Sequence, residues 1–270
     1  FRETMLTDKR IRMITDYPNS SDAFNGVDIA GGVMYFLWNR DNPGNCIVTT
    51  IEGGEAVSAE RNLDEHEIFV RDNRALSIVT KINKLSEESL SSLVSTRRPF
   101  GIDSSHSGDK NGDLYLYAAK KDGRIYRRDV PKGTEYIDSW KVLISKTSSE
   151  HAGQSDRSGR KRVFSRIEVM PPKTVATESY LVVGPFSTQE EAVNAANYLR
   201  SKFVRFLVST ILLTQNMTKR SFLFVPRQSF LSSWNDEELA IKYNLSGEEV
   251  DFINSRIRPM EIVEDGSNGE

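Results

Sequence analysis

Apolar residues fall in short runs along the chain, and the spacing within each run predicts a secondary-structure element. The run 33–38 contains Val, Met, Tyr, Phe, Leu and Trp without a polar residue, and turn-forming residues bound it on both sides. A short apolar run of this kind is typical of a strand covered on both faces, because a strand with one solvated face would alternate. We therefore expect residues 33–38 to form a central strand of a sheet.

Further strands are predicted where β-branched and aromatic residues dominate short segments. The candidate segments are 11–17, 45–51, 113–119, 124–130, 140–146, 163–170 and 178–184. The Asp122-Gly123 dipeptide between two of them predicts a tight hairpin turn. Residues 1–10 are typical of the last turns of a helix.

Other helices are predicted where a capping side chain precedes apolar residues at helical spacing. The candidate caps are Asp72, Ser86, Ser187 with Glu190, Asn235 with Glu238, and Ser246 with Glu249. The helix from Ser187 is expected to run to about Ser201 and, after a break, to Thr214. The mixture of strands and helices predicts an α/β protein of the mixed α+β kind.

Charge is unevenly distributed, although the net charge is only −2. Residues 117–166 contain 13 Lys or Arg against 6 Asp or Glu, whereas residues 231–270 contain 3 basic and 10 acidic residues. A basic middle beside an acidic C-terminal part indicates a face that binds polyanions. The alternative is an ordinary solvated charged surface. The stretch 147–162 is rich in Ser, Gly, Lys and Arg and is expected to be a mobile loop, and 261–270 is expected to be a disordered tail.

Several functional classes find no support in the sequence. The single cysteine, Cys46, excludes an internal disulfide framework and a cysteine-based zinc site. No apolar run is long enough to span a membrane, so we expect a cytoplasmic protein without a membrane partner. The three histidines are far apart in sequence, and no G-x-S-x-G, P-loop or dinucleotide-binding motif is present.

The remaining chemistry is basic and aromatic, which points to nucleic acid. On the segment 123–133 a strand would place Arg124, Tyr126 and Arg128 on one face, and Ile125 and Arg127 on the other. Arginine at this density can bind phosphates or donate two hydrogen bonds to a guanine edge. The complete set of candidate DNA-binding residues is Arg97, Arg98, Lys121, Arg124, Tyr126, Arg127, Arg128, Arg160, Lys161 and Arg162. No catalytic, cofactor-binding or metal-binding residue is assigned.

Five segments in this order resemble one protein family. They are 18–46, 63–75, 96–101, 178–216 and 222–260, in which the block 26–40 and the closing FVP, SWNDEEL and IRPM motifs are specific in combination. They resemble the C-terminal part of adenine-specific DNA methyltransferases of restriction–modification systems, including those fused to an endonuclease. The resemblance covers nearly all of the chain.

The resemblance implies a division of the chain into three parts. Residues 1–55 would be the remnant of a Rossmann-like catalytic sheet, 56–260 a target-recognition domain that binds double-stranded DNA, and 261–270 a tail. In such a remnant the strand 33–38 is either covered by later helices of this chain or left partly exposed and prone to association. The upstream catalytic domain of the same enzyme would be a partner, and S-adenosylmethionine would be the cofactor of the full-length enzyme.

The chain departs from the family at the catalytic motif, which is an Asn or Asp, two prolines and an aromatic residue. The Pro-Pro pair here is flanked by Met170 and Lys173. That motif and the glycine-rich loop for the methyl donor would lie upstream of Phe1, so we expect that this chain alone does not methylate DNA. Two alternatives remain open. One is a segment that carries a nuclease site, and the other is a structural or docking module whose capped helices from Ser187 onward pack against a partner, which exposed apolar area around 203–213 would favour.

Overall fold

The computed structural model describes residues 2–27, 29, 31–106, 108–149, 159–212 and 214–260. This part of the chain contains helices and mixed β-sheets, which confirms the predicted α/β class. The helices are α1 (Arg2–Thr7), α2 (Asn73–Lys84), α3 (Gln189–Arg200), α4 (Lys202–Ile211), α5 (Asp236–Lys242) and α6 (Gly247–Arg256). The strands are β1 (Ile11–Tyr17), β2 (Val33–Trp38), β3 (Cys46–Glu52), β4 (Glu55–Arg61), β5 (Leu114–Tyr117), β6 (Gly123–Ile125), β7 (Trp140–Ser145), β8 (Ile167–Met170), β9 (Thr174–Ala176) and β10 (Tyr180–Phe186).

The N-terminal sheet has the strand order β2-β1-β3-β4, so β2 lies at its edge. β2 pairs antiparallel with β1, and Met34 to Trp38 are 43–55% exposed. The prediction that residues 33–38 form a central strand covered on both faces is therefore wrong for the described residues, whereas the strand itself and the alternative of a partly exposed strand are confirmed. The apolar composition of this strand is typical of a strand buried on both faces, but composition alone cannot show whether a neighbouring strand and helices are present to bury it.

The central sheet has the order β10-β7-β8 and separates two apolar cores. α3 packs against β7 and β8, and alternate residues such as Val142 and Val183 point into the larger core with α2 and α4. On the opposite face, Leu143 and Val182 belong to the second core with the sheet β6-β5-β9. This alternation follows from the two-residue period of a strand.

Helix capping confirms most of the predicted starts and corrects two of them. Asp72, Asn235 and Ser246 cap α2, α5 and α6, and the last two form capping boxes with Glu238 and Glu249. Ser201 ends α3 and caps α4, which confirms the predicted break.

The two corrected starts lie at Ser187 and Ser86. The capping box before α3 joins Thr188 and Glu191, one residue later than predicted, because the Thr188 hydroxyl accepts the Glu191 amide. Ser86 starts no α-helix, since a 3-10 turn at Leu90–Leu93, capped by Ser89, occupies that region.

The N-terminal sheet is joined to the rest by an ionic cluster. Arg256 of α6 pairs with Glu52 and with Asp72, 3.3 Å from the latter, and Arg74 lies 3.0 Å from Asp72 and 3.6 Å from Glu52. β4 pairs along its length with β3, so this sheet continues past residue 55. The division of the chain at residue 55 stays a prediction.

Candidate nucleic-acid interface

The hairpin of β5 and β6 carries the basic residues that the sequence singled out. Leu116 pairs with Gly123, so the connection is longer than the tight two-residue turn predicted at Asp122-Gly123. Asp122 folds this connection, because its carboxylate accepts hydrogen bonds from the Ala118 amide at 2.8 Å and from the Tyr115 hydroxyl at 2.9 Å. These hydrogen bonds fix the backbone conformation of the hairpin connection.

A groove of about 470 Å³ lies beside this hairpin. One wall is formed by loop residues 104–106 and 108–110, and the other by Ala118 and hairpin residues 120–124. The loop is tied to the strand because the Asp109 amide donates to the Arg124 carbonyl at 2.6 Å and Arg124 Nε donates to the Gly112 carbonyl at 2.6 Å. A Cβ at Gly112 would come within 2.4 Å of the Ile125 nitrogen, so glycine permits this close approach.

The groove is positively charged because its lysine and arginine side chains outnumber its two aspartates, both of which already accept hydrogen bonds from this region. Its basic side chains are Lys110, Lys120, Lys121 and Arg124, and His106 lies beside them. The Asp122 carboxylate accepts the two hydrogen bonds given above, and the Asp109 carboxylate accepts a hydrogen bond from the Asn111 amide at 2.9 Å. The three lysines form no salt bridge with any residue in the described ranges. Unpaired lysines around a groove are suited to phosphate oxygens.

The structure corrects the predicted strand faces of residues 124–128. β6 ends at Ile125, and Arg127–Asp129 form a 3-10 turn that begins at Tyr126. The strand stops there because the Arg127 amide donates to the Asp113 carboxylate at 2.8 Å and the buried Val130 closes the turn. Tyr126 and Arg128 therefore share a turn and not a strand face with Arg124.

The three arginines of this segment have different partners. Arg127 pairs with Asp138 through two guanidinium nitrogens, and the hydrogen bond holds the pKa of Asp138 below its ordinary value. Arg124 is held at the Gly112 carbonyl. Arg128 stacks on the Tyr126 ring with its guanidinium carbon 4.5 Å from the ring centroid, and its nearest carboxylate, Asp129, is 4.0 Å away. Arg127 is therefore the least available of the three for a ligand.

Arg97 and Arg98 lie together near the carboxylate of Glu178. The distances are 3.3 Å from Arg97 and 3.9 Å from Arg98, which also pairs with Asp103. Burial tends to raise the pKa of Glu178, but the hydrogen bond from Arg97 and the positive charges of Lys146 and Arg97 together lower it. The pair is connected to the groove through the loop that follows Asp103, and its charge is partly neutralised.

Arg160, Lys161 and Arg162 lie beside α4 and α6 rather than in the groove. The Lys161 amide donates to the Arg256 carbonyl at 2.8 Å, and the Arg258 amide donates to the Lys161 carbonyl at 3.0 Å. The buried Arg205 donates to the Arg162 carbonyl at 3.3 Å. Lys161 lines a small cavity of about 110 Å³ together with Glu52 and Arg256. The predicted DNA-binding residues therefore do not form one site: Lys121 and Arg124 line the groove, whereas Arg160, Lys161 and Arg162 lie beside α4 and α6.

Lys110, Lys120 and His106 line the groove but were not among the residues predicted from the sequence. Lys120 had a detectable signal, since it adjoins Lys121 in the same hairpin. Lys110 and His106 had none, because their position depends on the folding of loop 104–110 against β6.

The described ranges contain few side chains arranged for catalysis or metal binding. No group of three or more His, Cys, Asp or Glu side chains there is arranged to hold a metal ion. His66 hydrogen-bonds with Thr80 and Asn83, and burial lowers the His66 pKa. His106 is exposed, and His151 lies outside the described residues. Among the described residues, no helix is long and apolar enough to cross a lipid bilayer.

Comparison with known proteins gives little independent information. No protein-family model matches the sequence, and no curated protein matches it either. Among solved structures, the type IIG restriction endonuclease BpuSI aligns with 94% of this chain and 39% of its own, at 10% identity and a TM-score of 0.35. The chain thus spans about two fifths of the length of BpuSI. A likeness at this level carries no functional conclusion.

Proposed function

We propose that the chain is the DNA target-recognition region of an adenine-specific DNA methyltransferase from a restriction–modification system. The groove at the β5–β6 hairpin carries this proposal, because three lysines without salt bridges and an anchored arginine surround it. Phosphate contacts from such a surface provide most of the affinity of a DNA-binding protein and fix its register on the duplex. The five resembling segments supply the enzyme class.

The exposed strand β2 supports a catalytic domain as the partner of this region. β2 leaves one backbone edge without a described neighbour and exposes apolar side chains on both faces. Such a strand suits addition to a further parallel sheet with helices on both sides. The ionic cluster around Arg256 would then connect that catalytic sheet to the recognition region.

S-adenosylmethionine would be bound by the catalytic domain and not by the described residues of this chain. The methyl donor is held in such enzymes by a glycine-rich turn between a strand and a helix. The connections from β4 to α2 and from β10 to α3 contain no glycine. The residues present therefore do not fit the cofactor, and no methyl-transfer step is assigned to them.

The alternative of a docking module at residues 203–213 is not favoured. Phe203, Phe206 and Leu207 are at most 3% exposed and belong to the largest core. A surface that is already packed inside the chain cannot serve a partner. The nuclease alternative likewise has no metal-binding group in the described residues to support it.

Lysine reactivity in the presence of DNA tests the proposal directly. The chain would be acetylated with and without a mixed-sequence duplex, and the modified lysines would be quantified by mass spectrometry. We expect the duplex to slow acetylation of Lys110, Lys120 and Lys121. Lys84 and Lys219, which are exposed on other parts of the surface, serve as internal controls and should react equally in both samples. Equal reactivity of the groove lysines with and without DNA would contradict the proposal.

A further inference from the structure

Tyr126 and Arg128 form a pre-organised pair on the turn that follows β6. The Arg128 guanidinium lies 4.5 Å from the centroid of the Tyr126 ring, while 77% of the Arg128 side chain stays exposed. Stacking on an aromatic face holds the plane of a guanidinium without consuming its hydrogen-bond donors. Asp129, at 4.0 Å, is a weak and solvent-screened partner.

The turn that carries this pair is fixed at both ends. Ile125 precedes it and Val130 follows it, and both side chains are buried in the second core. The Arg127 amide is held by Asp113, and the Asp129 amide donates to the Tyr126 carbonyl at 2.9 Å. A turn clamped in this way loses little conformational entropy when it binds a ligand.

Arg127 provides the contrast that singles out Arg128. Both of its terminal nitrogens donate to Asp138, and this ion pair raises the Arg127 pKa. A ligand would have to displace a carboxylate from Arg127, whereas Arg128 can present two donors to a ligand at once. The two neighbouring arginines are thus matched in chemistry and differ in availability.

The Tyr126–Arg128 pair and the lysines of the protein groove are close enough to contact the same DNA major groove. Arg124 lines the groove, and Tyr126 lies two residues further along an extended segment, roughly 7 Å away at roughly 3.3 Å per residue. The major groove of B-DNA is about 12 Å wide and admits a two-stranded ribbon. Lysines at the phosphates and an arginine at the base edges can therefore act within one groove.

We propose that Arg128, positioned by Tyr126, contacts the O6 and N7 edge of a guanine and determines specificity at one base pair of the target. This inference rests on the proposed function, because it assumes that the β5–β6 hairpin faces duplex DNA. Arginine is suited to this contact since its planar fork matches the two guanine acceptors. Arg127 serves instead to hold the turn against Asp138.

The test is selection of bound sequences from a randomised duplex pool by the full 270-residue chain. Wild type should enrich a guanine at one position, and Arg128→Lys, which keeps the charge but loses the fork, should weaken that preference by roughly 5- to 140-fold. Tyr126→Leu should weaken the same position to a smaller degree. Arg40→Lys, at an arginine outside the hairpin whose side chain is 75% exposed, is the matched control and should retain the wild-type preference.

A second readout separates this inference from the proposed function. The affinity of Arg128→Lys for a mixed-sequence duplex should stay within about twofold of wild type, because the charge is kept. Identical enrichment by wild type and Arg128→Lys, or no guanine preference in wild type, would overturn the role of Arg128 while leaving duplex binding intact. Absence of any duplex binding by wild type would overturn both proposals.

Discussion

The exposure of β2 makes a quantitative prediction about stability. Leu37 is 51% exposed, so truncation to alanine removes only about half of the burial of a leucine side chain, which is worth roughly 1.5–3 kcal/mol in full. We expect Leu37→Ala to lower the free energy of unfolding by about 1 kcal/mol. Ile14, which lies on the neighbouring strand and is 6% exposed, is the matched control. Ile14→Ala should cost about 2–5 kcal/mol, because it also leaves a cavity.

Urea unfolding of the two variants and of wild type measures this difference. Leu37→Lys adds a second observable, since a charge on the exposed edge should reduce any concentration-dependent association seen by sedimentation. If Leu37→Ala were as destabilising as Ile14→Ala, β2 would be covered in solution and its edge position would be wrong.

Three further predictions concern other parts of the molecule. Lys141 is fully buried, and desolvation lowers its pKa to about 8 from 10.5. Between these two pH values the unfolded chain binds more protons than the folded chain, so the free energy of unfolding rises with pH. Measured by urea unfolding, wild type should gain up to about 3 kcal/mol relative to Lys141→Met as the pH increases from 8 to 10.5. Thr188→Ala should lower the free energy of unfolding by about 1 kcal/mol, measured by thermal or chemical unfolding, because it removes the N-cap of α3. Ser187→Ala should lower it by less than about 0.5 kcal/mol. A larger effect at Ser187 than at Thr188 would show that Ser187 caps the helix, as predicted from the sequence. Glu178→Gln should raise affinity for duplex DNA by roughly two- to fivefold at low salt, because it frees Arg97 and Arg98 from a carboxylate, and unchanged binding would place these arginines outside the interface.

Local sequence signals predicted most elements but not their surroundings. The helices capped by Asp72, Asn235 and Ser246 were predictable because the cap and the first turn are adjacent in sequence. The strand at 33–38 was predicted, but its edge position was not, since strand order depends on pairing between distant segments. The short β9 was missed because its three residues carry too little pattern.

The candidate interface was only partly predictable for a related reason. Charge density identified Lys121 and Arg124, which the structure places at the groove. It also selected Arg127, because sequence cannot show that Asp138 folds against that side chain. Lys161 was grouped with the others, although its backbone pairs with the end of α6.

Salt dependence of duplex binding tests the DNA-binding role of the groove most directly. The affinity of the chain for a mixed-sequence duplex would be measured from 50 to 200 mM salt for wild type, Lys120→Ala/Lys121→Ala and the control Lys84→Ala/Lys219→Ala. Each phosphate contact contributes about 0.9 to the slope of log affinity against log salt, so loss of two lysines should flatten the slope by about 1.8. Over this range the double variant should lose roughly 12-fold less affinity than wild type, and the control should match wild type. Equal slopes for all three proteins, or no binding by wild type, would contradict a DNA-binding role for this groove.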